Sequence, residues 1–118
     1  MNIKECYSQF DGDYEGVLSR LMKEERIVKY VVKFVDSNEI ELMKSSLDAK
    51  DYETAFRCVH NLKGIALNLG FTRLRTSSEV LCEELRGYAP KNDMTEMIAN
   101  VLTAYDEICD AIKKLDRQ

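Results

Sequence analysis

Apolar residues recur along the chain at intervals of three and four, the repeat of a helix buried on one side, and no stretch alternates with a period of two. Ile3, Tyr7 and Phe10 predict a short first helix, ended by Asp11-Gly12-Asp13, and Val17, Leu18, Leu21 and Met22 predict a second short piece. Glu24 to Val35 is valine-rich, but Ile27, Val31, Phe34 and Val35 keep the helical spacing, so a third helix is expected there. Asp36-Ser37-Asn38 offers a break and an N-cap before the stripe Ile40, Met43 and Leu47. A short connection, Ala49 to Glu53, follows. Asp51 is placed to cap a helix running to about Leu69, with Gly70 as its C-terminal stop. Leu74, Leu81, Leu85 and Tyr88 mark another helix, and "GYAPKND" is the clearest loop. Asp93 with Glu96 resembles a capping box for the last helix, lined by Met97, Val101, Tyr105, Ile108, Ile112 and Leu115. Long amphipathic helices on short connections pack as antiparallel neighbours. The expected fold is therefore all-α: an antiparallel up-and-down four-helix bundle with one or two short extra N-terminal helices, in one domain over residues 1–118.

Composition narrows this further. With 45% apolar and 32% charged residues, the 118-residue chain can bury a core and is not a disordered segment. One proline and five glycines leave few breakers for a many-turned β fold. A net charge of −4 argues against nucleic acid as the main partner. No run is apolar enough to span a membrane, and the N-terminus lacks a signal pattern, so a cytoplasmic protein without a membrane partner is expected. Nothing in the sequence calls for an oligomer, and a monomer is expected. Cys6, Cys58, Cys82 and Cys109 form no C-x-x-C pair. Three of them fall on predicted helices near apolar neighbours, as free thiols in a reducing compartment would. The stretch "DGDYEG" begins like a calcium loop, but its twelfth position, where a bidentate Glu belongs, is Met22. A polar turn between two helices is the simpler reading, and no metal site is expected. The tyrosines and methionines at helical spacing are expected in the core.

The helix after Asp51 carries the candidate chemistry. Ala55, Val59, Leu62, Ala66 and Leu69 fall on one side and predict the core stripe. His60, the chain's one histidine, lies roughly 160° from Leu62 and points outward. Gly64 follows one turn later on the outer side, although glycine costs about 1 kcal/mol against alanine inside a helix. Lys63 flanks the ring, and Arg57 adds nearby positive charge. Phe56 and Leu67 also point outward, either covered by a neighbouring element or left open as a docking patch. One histidine cannot hold a metal alone, and no second titratable cluster accompanies it for hydrolytic acid–base work. A neutral imidazole is, however, a competent nucleophile near neutral pH. A phosphoryl group on the ring would stand in solvent beside the Lys63 ammonium, and an exposed face admits in-line approach of the donor.

The segment "HNLKGIALNLG" resembles the signature of histidine-containing phosphotransfer (HPt) domains, with His60, Leu62, Lys63, Gly64, Leu69 and Gly70 all in place. Upstream, Asp51-x-x-x-Ala55 is similar to the family's approach to its histidine helix, and helical patterning extends the likeness from about Asp13 to the C-terminus. The resemblance implies that His60 accepts a phosphoryl group from a receiver-domain aspartyl phosphate and passes it to another receiver. It further implies that Lys63 stabilises the phosphoryl group and that Gly64 gives the receiver room. Phe56, Arg57 and Leu67 would belong to the docking face, against an acidic receiver pocket. The partner would be a receiver domain of a response regulator or hybrid histidine kinase, and the receiver would supply Mg²⁺, with no cofactor on this chain. No nucleotide-binding loop is present, so ATP-dependent kinase activity is not expected. The alternative is a non-catalytic docking module that binds a receiver or kinase without being phosphorylated. An enzyme using His60 as acid or base is a third reading, weakened by the bare surroundings of the ring.

Overall fold

A computed structural model describes residues 1–115. It contains α1 (Ile3–Gln9), α2 (Tyr14–Leu21), α3 (Glu24–Val35), α4 (Glu39–Asp48), α5 (Tyr52–Leu69), α6 (Thr72–Leu85) and α7 (Thr95–Lys113), and no strand among the described residues. The all-helical bundle expected from the periodicity is present. α5, α6 and α7 are its long members. α5 packs chiefly on α6, and α6 in turn packs on α7. The remaining side is shared: α4 covers α5, while α3 lies against α7 and α5. α3 and α4 do not pack on one another across the break at Asp36–Asn38. α1 packs on α7 and α3, and α2 on α3, closing one end.

The core stripe of α5 is buried as its spacing predicted: Ala55, Val59, Leu62, Ala66 and Leu69 all lie inside, joined by Cys58. Asp51 starts this helix by accepting from the Thr54 N–H at 3.2 Å and the Thr54 hydroxyl at 2.7 Å. Gly70 ends it in the left-handed conformation, φ +72°, where a Cβ would come within 2.6 Å of the Asp13 carbonyl oxygen.

That end of α5 is tied down by the N-terminal segment. The buried Tyr7 hydroxyl donates to the Leu69 carbonyl at 2.6 Å, and the Asp13 N–H to the Gly70 carbonyl at 2.8 Å. The Arg20 guanidinium donates to the Leu67 carbonyl at 3.1 Å and the Asn68 carbonyl at 3.0 Å. These are carbonyls that a helix cannot satisfy internally. Arg20 also places positive charge at the negative end of the helix dipole. Beside this junction Phe71 meets Tyr7, Phe10 and Phe34 with ring centroids 6.0, 5.5 and 5.4 Å away, joining α1, α3 and α6 in one aromatic cluster.

Several local expectations are corrected. Asn38 occupies the N-cap of α4, but its backbone is near-helical (φ −104°, ψ 19°) and its side chain makes no capping bond. The Asp93–Glu96 box does not form. Asp93 instead accepts from the Thr95 N–H and hydroxyl two residues on, and Met94 is the N-cap. α6 stops at Leu85, and Tyr88, with φ +65°, belongs to the following loop. Leu115 is buried but lies just past α7. Met22 is the exposed left-handed C-cap of α2 rather than part of its apolar face. Tyr30 and Tyr88 are likewise exposed, while Tyr7 and Met43 are core. All four cysteines sit on helices. Cys6, Cys58 and Cys82 are buried, Cys109 is half-buried, and all are unbridged. The "DGDYEG" stretch is a polar turn between α1 and α2, with Asp13 capping Gly16 and Asp11 paired with Arg73.

Removing only the phenolic oxygen, Tyr7→Phe, leaves a buried Leu69 carbonyl short of its donor. We expect a loss of about 1–2 kcal/mol, read as a lower thermal or urea midpoint with helix content retained. An unchanged midpoint would show that this bond is not what secures the end of α5.

Candidate functional site

The face of α5 opposite its core stripe carries Phe56, His60, Gly64 and Leu67 in one column, at spacings of four, four and three. His60 is exposed near the middle of the helix. Its ring lies 5.9 Å from that of Phe56. A Cβ built on Gly64 would meet no heavy atom within 4 Å beyond the helix's own backbone. Internal packing therefore does not require glycine here. Its effect is an open step in the helix surface one turn past the imidazole. Leu67, 52% exposed, lies a further turn along and is left open.

Phe56 is treated differently. It is half-buried, with Tyr88 packed edge-on at 5.8 Å between centroids and the Arg86 guanidinium 5.5 Å from its ring centroid. The cover comes from the α6–α7 loop rather than from a short helix. Phe56, Arg57, His60, Asn61 and Arg86 line a shallow open depression of about 280 Å³. Larger hollows lie between α6 and α7 and between α2, α3 and α5, and His60 lines neither. Arg57 is not a free cation: it pairs with Glu53 one turn back at 2.7 Å. Lys63 is half-buried on the flank facing α6, where its charge helps hold the Glu83 carboxyl below the usual range, after the larger effect of the hydrogen bond and charge from Arg86.

The structure thus brings Phe56, Arg57 and His60 to one depression, with Gly64 and Leu67 continuing the same column and Lys63 at its edge. Sequence reasoning missed Arg86, Glu83 and Tyr88. A signal for them existed. α5 and α6 form a hairpin around Gly70-Phe71, so residues at the end of α6 must lie beside the first turns of α5. Arg86 and Tyr88 therefore fall near Phe56.

The loop bearing these residues is organised by Glu84. Its carboxylate accepts from the Lys91 N–H at 2.7 Å, the Asn92 N–H at 2.9 Å and the Asn92 side-chain amide at 2.7 Å. The Asn92 side-chain bond, then the two backbone bonds, pull the Glu84 carboxyl below its ordinary value.

Comparison with known families places the chain plainly: it matches the Hpt domain over residues 33–117, and it belongs to that family. Members of this class carry phosphoryl groups on histidine in two-component signalling and are carriers rather than kinases. Searches of curated proteins and of solved structures found no match. Among the described residues no helix is long and apolar enough to cross a membrane.

Two outcomes follow from this geometry. Gly64→Ala gains helix propensity and meets no neighbour, so chemical denaturation should show stability raised by up to about 1 kcal/mol. A destabilised variant would reveal a packing role for the glycine. The Glu84 clamp has a depressed folded-state pKa. It therefore contributes fully above the normal glutamate range and fades as pH falls through that lower value. NMR of the Lys91 and Asn92 amides should report a transition below that of a free glutamate, absent in Glu84→Gln; a midpoint at the ordinary value would contradict the clamp.

Proposed function

We propose that this chain is a phosphorelay carrier in which His60 takes a phosphoryl group from the aspartyl phosphate of one receiver domain and delivers it to another. The observation that carries this reading is the coincidence of an exposed mid-helix imidazole with a glycine that the chain's own packing does not need. The donor can approach the ring in line over Gly64, where a side chain would stand in its way.

In the forward step the unprotonated ring nitrogen of neutral His60 attacks phosphorus. A nitrogen–phosphorus bond forms, the phosphorus–oxygen bond to the aspartyl group breaks, and the departing carboxylate keeps the electron pair. The proton on the other ring nitrogen is released to water. The return step, onto a second receiver's carboxylate, reverses these bonds. Lys63, on the adjacent flank, supplies a point charge for the phosphoryl oxygens. Phe56 and Leu67 give apolar contacts on either side of the ring, and Arg57, paired with Glu53, stands at the rim. Mg²⁺ belongs to the acidic site of the receiver, and the chain makes no phosphohistidine from ATP.

The test is incorporation of acid-labile, base-stable phosphate on mixing the protein with a phosphorylated receiver domain and Mg²⁺. Wild-type protein should be labelled and His60→Gln should not, with the variant retaining fold and receiver binding. Binding without labelling from several receivers would replace the carrier by a docking module. A bulky side chain at Gly64 should weaken receiver binding itself, and loss of labelling with binding intact would refute the steric role given to Gly64.

A further inference from the structure

Arg86 is the second cation of the His60 depression, yet it is occupied. Its Nη2 donates to one Glu83 carboxylate oxygen at 2.8 Å and its Nε to the other at 3.3 Å, a forked pair on exposed side chains. The guanidinium also lies over Phe56, whose ring is 5.9 Å from the His60 ring, and Arg86 and His60 line the same hollow. Arg86 stands at the C-cap of α6 with an extended backbone (φ −60°, ψ 131°), so its side chain is released from the helical direction that holds Glu83. Arg86 thus shares one hollow with the imidazole, while its present partner Glu83 is not among the residues that line it.

Resting on the carrier reading above, we infer that Glu83 is a built-in competitor for the phosphoryl group: it holds Arg86 while His60 is bare, and Arg86 exchanges the carboxylate for phosphoryl oxygens when His60 is modified. A phosphoryl dianion presents more charge and three acceptor oxygens, against one charge and two oxygens on Glu83. The exchange therefore favours the modified ring, by the modest margin of an exposed pair. Glu83 is a positioning residue, acting through Arg86. The balance between carboxylate and phosphoryl group then sets how tightly the carrier holds its cargo.

The test loads His60 chemically with phosphoramidate, which needs no receiver, and follows by ³¹P NMR the pKa of the phosphorylated ring, which titrates above the acid range in which the label is lost and whose deprotonated form nearby positive charge favours. His60 is the chain's one histidine, and His60→Gln supplies the blank. Arg86→Ala should raise that pKa by about 0.3–0.7, and Glu83→Gln should lower it by a similar amount, the scale of an exposed ion pair. In the Arg86→Ala background the Glu83→Gln shift should fall below half its size. No shift in Arg86→Ala, an equal Glu83→Gln shift in both backgrounds, or no phosphohistidine signal overturns the inference. A chain that passes this test but takes nothing from receivers loses the relay reading alone.

Discussion

The carbonyl groups of the last turn of α5 have no partners within their own helix, and the whole N-terminal end of the molecule is arranged around supplying them. Tyr7, Asp13 and Arg20 come from three different stretches of α1, the turn and α2, and all aim donors at residues 67–70. Gly70 can be approached this closely because it has no Cβ. With that end fixed, the direction of α5 is set, and the aromatic cluster around Phe71 locks α6 to the same point. The outer column of α5 can then stay open from His60 to Leu67, since its rigidity comes from its ends and its buried side rather than from cover over His60.

Much of this was legible from spacing. The five-residue stripe on α5 is a pure consequence of helical periodicity, and Asp51 and Gly70 are helix stops whose chemistry acts locally. The expectations that failed were also local but had competitors. Asp93 had a hydroxyl and an N–H two residues away and satisfied both, so the longer-range box lost. Met22 and Tyr88 fit a helical repeat in sequence, but each sits where the chain reverses with positive φ, and a repeat does not reveal where a helix stops. Donors that cross between segments, such as Tyr7 to Leu69 over a separation of 62 residues, left no local trace.

The site divides in the same manner. His60, Lys63, Gly64 and their neighbours share one helix, so their relative placement follows from the 3.6-residue turn alone. Arg86, Glu83 and Tyr88 reach the site only through the register of the α5–α6 hairpin, which depends on where both helices end. The electrostatics of the face follow from that register as well. Each cation near His60 has a carboxylate on it or near it, Arg57 with Glu53 and Arg86 with Glu83, while the Lys63 charge also bears on Glu83. The positive patch inferred from counting Arg57 and Lys63 is therefore partly neutralised, since Arg57 is held in an ion pair that an incoming anion must open.

The open surface at Gly64 has a consequence for how such a sequence drifts. Most substitutions in a folded chain are opposed by a neighbour inside the molecule; at this position no neighbour objects. Selection acting on heat resistance alone would carry the residue toward alanine within the ordinary repertoire of stabilising changes. On the carrier reading proposed above, what favours glycine there lies outside the chain, in the shape of the receiver that would lie against it.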